Sequence, residues 1–349
     1  MGMPSGGRTA EEAPRGAFMK AMRLHAPAPI QDEPLRLEEV PRPEPAPGQI
    51  LVRVQACGIC HTDLHTVEGE IVPPALPITP GHQVVGTLEA LGKGIENWSL
   101  GDPVGIPWLH AACGVCDFCR AGKENLCAEA AFTGFHRNGG FAEYIVAEAA
   151  FALRLPEGLD TLQAAPLLCA GIIGYRSLRL ADLQAGERLG LVGFGASAHL
   201  AIQVARHWDC EVYVFTRSVS HRALARELGA AWVGGAEDDP PAPLDRAVIF
   251  APAGHLIPAM LAKVRPGGTL AINAIHMSPI PEMPYRLIYG ERTLRSVANA
   301  TRQDGAEFLR LAAEIPIRSK VQSYRLTQAN QALLDLKKSA IDGAGVLLP

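Results

Sequence analysis

The chain has 349 residues, 48% hydrophobic and 19% charged, with a net charge of −4. That length suits two domains and that composition a globular protein. The small net charge gives no electrostatic case for nucleic-acid binding, and no apolar run approaches the ~18 residues of a membrane span.

Residues 1–18, "MGMPSGGRTAEEAPRGAF", hold no hydrophobic stretch of the kind that makes a secretory signal and read as a disordered tail. The fold is expected to start at Met19. From there to about Arg154 the text is rich in proline and glycine, with short β-like runs such as "ILVRVQA", "QVVGTLEAL" and "GGFAEYIVA". Strands of that length predict a β-rich domain. From about Leu183 the pattern alternates. "ERLGLVGFG" is an apolar strand running into glycines, "ASAHLAIQVARHW" has helical spacing, and "CEVYVFT" is a strand. "SHRALARELGA" reads as a helix, "DRAVIFA" as a strand, "LIPAMLAKVRPGG" as a helix and "TLAINA" as a strand. This alternation predicts a parallel sheet with helices on both faces. After about Ala300 come two helical patterns and a last strand, "GAGVLLP", expected to pack back onto the first domain.

Eight cysteines without a secretory signal point to a reducing, cytoplasmic setting, where clustered cysteines are more often metal ligands than disulfides. "CGVCDFCRAGKENLC" spaces Cys113, Cys116, Cys119 and Cys127 as C-x2-C-x2-C-x7-C. Four thiolates on short glycine-containing loops suit a closed tetrahedral zinc site, structural because it has no vacancy. Disulfides and an iron–sulfur cluster are the alternatives.

The stretch "CGICHTDLH" adds Cys57 and Cys60, "TPGHQVVG" adds His82 after a Pro–Gly turn, and "LLCAGIIG" adds Cys169. Cys210, at the head of a core strand, reads as a buried apolar residue. Two thiolates and one imidazole would leave a tetrahedral zinc one open position, which is the catalytic arrangement. Taken singly, each of these side chains would more often be packing than ligating.

With "GICHTDLH", "PGHQVVG", the four-cysteine lobe and "GFGASA" in that order, the chain from Met19 onward resembles the zinc-dependent alcohol dehydrogenases of the medium-chain dehydrogenase/reductase superfamily. The resemblance implies a GroES-like catalytic domain at 19–165 and 300–349, with a Rossmann domain at 166–299. It assigns a catalytic zinc to Cys60, His82 and Cys169 and leaves Cys57 as a structural neighbour. It matches Thr62 and His65 to a proton relay, Asp63 to a partner of the metal site, and His61 and Arg302 to cofactor pyrophosphate contacts. It matches Trp108 to the substrate pocket lining; core packing is the other reading of that residue. A dimer or tetramer is the family's usual assembly. Where the family commonly has glutamate after the zinc histidine, this chain has Gln83, which brings no charge to the metal.

"GLVGFGASAHLA" sets Gly193, Gly195 and Ala198 as G-x-G-x-x-A between a strand and a helix, the pattern of a dinucleotide site. The next strand ends "VYVFTRS", with Thr216 where a ribose-binding acid would stand and Arg217 after it. An acid there would repel a 2′-phosphate; Thr216 does not, and Arg217 offers it a partner, so NADP(H) is favoured over NAD(H). Arg217 as a solvated side chain or an adenine platform is the competing reading. The expected activity is reversible hydride transfer between an alcohol and the nicotinamide, with two zinc ions per chain. A zinc-free quinone or enoyl reductase of the same superfamily and a non-catalytic zinc module are the rivals.

Overall fold

Six parallel strands occupy the middle of the chain, and a second sheet is assembled from the two flanks. The computed structural model describes residues 17–315 and 317–349. The expected tail therefore falls outside the described residues up to position 16. Phe18 already belongs to the strand Phe18–Leu24, because that strand pairs along its whole length with Leu35–Pro41.

The parallel sheet has the order Trp232–Gly234, Glu211–Phe215, Arg188–Val192, Leu244–Ile249, Val264–Ile272, Thr293–Ser296. Numbered along the chain this is 3-2-1-4-5-6, the doubly wound order whose ligand crevice lies where the winding reverses, beyond the carboxyl ends of the strands. Every residue of Leu244–Ile249 is buried, as expected for a strand covered on both faces. The helix expected over "LIPAMLAKVRPGG" is shorter than its text. It spans Leu256–Leu261, and the strand Val264–Ile272 begins before the glycines. Pairing of Leu244 with Val264, with a register irregularity after it, recruits this segment to the sheet. Gly268 permits the irregularity, because a Cβ there would come within 2.6 Å of the Asp245 carbonyl.

The flanking sheet runs Val321–Arg325, Ala344–Leu348, Gln49–Gly58, Gln83–Leu91, Pro103–Ile106, Leu153–Arg154, with Tyr144–Glu148 also paired to Gln49–Gly58. The strand Ala344–Leu348 is antiparallel to Gln49–Gly58, with Val346 opposite Gly58 and Leu347 opposite Cys57. One apolar cluster spans both sheets. It joins Val85, Leu153 and Val346 to Leu189, Leu191 and Val248 through the helices Ala170–Leu180, Ala196–His207 and Arg302–Glu314. Among the described residues no helix is long and apolar enough to cross a membrane.

Candidate active site

The helix His61–Glu68 starts where Asp63 reaches back to its own N-terminus, its Oδ2 accepting the Cys60 N–H at 2.9 Å. It stops at Gly69, whose φ of +81° is the left-handed cap that glycine adopts without strain. The same Asp63, 2% exposed, uses Oδ1 for the Gly81 N–H at 3.0 Å and for His82 Nδ1 at 3.0 Å. This carboxylate thus ties Cys60, the Pro80–Gly81 turn and His82 into one unit. Gly81 has φ +99°, and a Cβ there would lie 2.4 Å from the Phe141 ring and 2.9 Å from Cys57 Sγ. Cys57 is the floor under that turn.

The ligand atoms of Cys60, His82 and Cys169 all lie within 4.8 Å of one another. His82 is fully buried, and with Nδ1 held by Asp63 its Nε2 has no hydrogen-bond partner among the described residues. An orphaned imidazole nitrogen beside two thiols is a donor set that fits a thiophilic divalent cation, zinc above all. The electrostatics separate the two neighbouring cysteines. The Cys60 thiol is pulled well below its usual range by the hydrogen bond with Cys169 and by His82, against the cost of burial. Burial, with the negative Asp63 nearby, pushes Cys57 far up and keeps it a neutral thiol. Burial also opposes charge on His82, but Asp63 and Cys60 together outweigh it and raise that imidazole to about 10.

Thr62 places its hydroxyl 3.8 Å from Cys60 Sγ. His65 is hydrogen-bonded through Nδ1 to Glu70, and its ring lies 6.2 Å from that of His61 and 6.0 Å from that of His276. His276 has no counterpart in the sequence reading, since no motif surrounds it; only tertiary structure brings it near. His61 itself is exposed at the first position of the helix. Gln83 is buried, and its Oε1 lies 3.5 Å from the Ala170 N–H that follows Cys169. Trp108 stands edge-on to His82 at 4.8 Å and stacks on Phe132 at 4.8 Å. Its Nε1 donates to Asn299 Oδ1 at 3.0 Å.

The four-cysteine lobe converges too, its sulfurs within 4.8 Å of one another. Cys113 Sγ and Cys119 Sγ are 3.9 Å apart, far from the ~2.05 Å of a disulfide. Backbone N–H groups of Cys116, Cys119 and Cys113 point at the sulfurs of Cys113, Cys116 and Cys127 at 3.3–3.5 Å. Such donors favour thiolates, and those of Val115 and Cys116 bring Cys113 down to about 7. The lobe is braced to the segment that follows the parallel sheet. Asn125 Nδ2 donates to the Ala298 carbonyl at 2.7 Å. Arg302, expected at the cofactor, gives both its backbone N–H and its Nε to Glu124, at 3.0 and 3.1 Å, and lies over the Phe151 ring. The buried Glu124 carboxylate needs that partner.

At the parallel sheet, Gly193 has φ +85° and lies 3.0 Å, measured from the Cβ it lacks, from the Ala251 backbone nitrogen. Gly195 is different: a Cβ there would meet no protein atom within 4 Å. It is the N-cap of Ala196–His207, no side chain caps that end, and Ala198 is buried. The open space over unpaired N–H groups fits a pyrophosphate. Gly174 lets the helix behind Cys169 lie against the Ser197 carbonyl, so Cys169 and the glycine motif share one packed pair of helices. Thr216 is buried, with its carbonyl accepting from Arg222 Nε at 2.8 Å. Arg217 is exposed and makes no hydrogen bond or ion pair among the described residues.

Residues 46–157 match the alcohol dehydrogenase GroES-like domain, and residues 198–314 match the zinc-binding dehydrogenase domain. The chain is 45% identical over 338 residues to "Probable alcohol dehydrogenase AdhA" of Mycobacterium tuberculosis, covering 95% of this chain and 98% of that one. It superposes on the alcohol dehydrogenase of Aeropyrum pernix with a TM-score of 0.84 at 30% identity, covering 95% of this chain and 100% of that one. It superposes on cinnamyl alcohol dehydrogenase of Sorghum bicolor with a TM-score of 0.87 at 27% identity, covering 95% and 97%. The chain belongs to the zinc-binding alcohol dehydrogenase family of the medium-chain dehydrogenase/reductase superfamily.

Proposed function

We propose that this enzyme interconverts small alcohols with their aldehydes or ketones, using zinc at Cys60, His82 and Cys169 and a nicotinamide dinucleotide along Gly193, Gly195 and Ala198. The observation that carries the reading is the orphaned His82 Nε2 facing two thiols, with its other nitrogen locked by Asp63. When bound, zinc supplies Lewis acidity toward a hydroxyl or carbonyl oxygen, and the nicotinamide supplies the hydride chemistry.

The chain's own residues do the rest. Asp63 holds His82 in one tautomer and one orientation. Trp108, between His82 and Phe132, gives an alcohol's carbon chain an apolar wall and keeps water from it. The Thr62 hydroxyl, beside Cys60, receives the proton an alcohol must lose, and His65, steadied by Glu70, passes it to solvent. Thr62 and His65 share no hydrogen bond in the described structure, so a hydroxyl of a bound ligand completes that relay. His61, exposed beside them, is assigned to the cofactor's phosphates. The four-cysteine lobe holds a second, structural zinc. Thr216 and the unpaired Arg217 favour NADP(H). A homodimer or homotetramer in the cytoplasm completes the proposal.

Metal analysis and steady-state assays test it. Two zinc ions per chain and alcohol-dependent reduction of NADP+ are expected. Metal-independent reduction of quinones or enones would overturn it in favour of a zinc-free reductase.

A further inference from the structure

Behind the turn that carries His82, on the flanking sheet, lies a second cleft of about 280 Å3, lined by Arg23, Arg137, His110, Asn138 and Tyr144 among others. Its volume is several times the ~30 Å3 share of one water. Among the described residues neither Arg23 nor Arg137 has a carboxylate within ion-pairing distance. Arg23 gives one amino group to the Pro77 carbonyl at 2.9 Å, while its Nε is buried without a partner. Arg137 gives one to the His136 carbonyl at 2.9 Å. The nearby carboxylate, Glu148, accepts from Gln49 Nε2 at 2.8 Å. Asn138 spends its Oδ1 on the Thr79 N–H at 3.1 Å, which leaves its Nδ2 as a donor.

His110 is the informative member. It is 3% exposed, and its Nδ1 lies 3.4 Å from Thr133 Oγ1. That hydroxyl already donates to the Pro107 carbonyl at 2.8 Å, so it accepts from His110 Nδ1–H. The tautomer follows: Nε2 is a bare acceptor, and no residue among those described is bonded to it. The cleft is therefore lined by guanidinium and amide donors together with one imidazole acceptor. We propose that it binds inorganic hydrogen phosphate, with Arg23, Arg137 and Asn138 on its anionic oxygens and His110 Nε2 accepting from its hydroxyl. Carboxylate and sulfate are fully ionised near neutral pH and offer His110 no hydrogen. Burial depresses His110 to about 4, so the ring is neutral there and the acceptor is kept.

Calorimetric titration of the full chain with inorganic phosphate, glycerol phosphate and sulfate, at matched ionic strength, tests the assignment. Saturable phosphate binding is expected, with sulfate weaker by roughly tenfold or more, the scale of one lost charge-assisted hydrogen bond. Arg137→Gln, at an exposed position that should not disturb folding, and Arg23→Gln should each weaken phosphate by a similar factor, while Arg217→Ala leaves it unchanged. Glycerol phosphate, whose phosphate is mostly a dianion without a hydroxyl near neutral pH, is expected to bind more weakly than inorganic phosphate; equal or tighter binding would show that His110 accepts no phosphate hydrogen and would overturn the assignment. Absence of saturable binding, sulfate binding equal to phosphate, or loss only in Arg217→Ala overturns it.

Discussion

Asp63 and His82 meet at 3.0 Å in the interior, and the aspartate oxygen that takes His82 Nδ1 also takes the Gly81 N–H. A single carboxylate therefore aims the imidazole and fixes the turn that delivers it. Asp63→Asn keeps the shape but removes the charge and halves the acceptors. Zinc affinity, measured by competition with a chromogenic chelator, should fall by roughly 10- to 100-fold. An unchanged affinity would show that His82 is aimed by packing alone.

The four-cysteine lobe should behave differently. Cys119→Ser opens a saturated site and also slackens the brace from Asn125 and Glu124 to Ala298 and Arg302. One zinc per chain should be lost and the thermal midpoint should drop by several degrees, while the folded fraction keeps most of its turnover per active site. Metal analysis beside a calorimetric melt checks both halves. Full stability with one fewer zinc would contradict the structural role.

The proposed preference for NADP(H) rests on the end of Glu211–Phe215. Thr216→Asp would put a carboxylate where that proposal sets the ribose and should shift the preference from NADPH toward NADH. Arg217→Ala should raise the KM for NADPH by about one to two orders of magnitude, the equivalent of ~1.5–3 kcal/mol, and spare NADH. Equal effects on both cofactors would mean that Arg217 stacks on adenine.

Acid should destabilise the fold through two buried histidines. Burial lowers both His110 and His199 to about 4, from 6.5 in an open chain. The unfolded state then binds more protons between those values, so stability is complete above pH 6.5 and is lost as pH falls toward 4. By pH 5 each site should cost on the order of 2 kcal/mol. Denaturant melts at several pH values would measure the slope. His199→Gln, which keeps a donor for the Gly195 carbonyl, should flatten it by one site. A slope unchanged in that variant would place the acid sensitivity elsewhere.

Local chemistry made much of this molecule readable. Four cysteines at fixed spacing are expected to converge because short loops leave their sulfurs little choice of arrangement, and the four sulfurs do lie within 4.8 Å of one another. The glycine motif declares itself because a strand, a tight turn and a helix are written contiguously. The pairing of Arg302 with Glu124 was not readable: the two are 178 residues apart, and nothing local says which carboxylate a guanidinium will meet. The extent of Val264–Ile272 was hidden for a related reason, since pairing with Leu244 overrides the glycines in its text. His110 lay outside every motif, and its acceptor nitrogen emerges only from the hydrogen bonds of Thr133.

The pairing of Val346 and Leu347 with Gly58 and Cys57 also orders events in time. A ribosome delivers the segment around Cys60 long before residues 344–348 exist. The parallel sheet, whose strands are contiguous in the chain, can close during that interval. The flanking sheet must wait with an open edge next to Cys60. Nascent chains halted before residue 344 should therefore carry a folded parallel sheet beside an unfinished, adhesive partner, and that stage is where chaperones would find the most to hold.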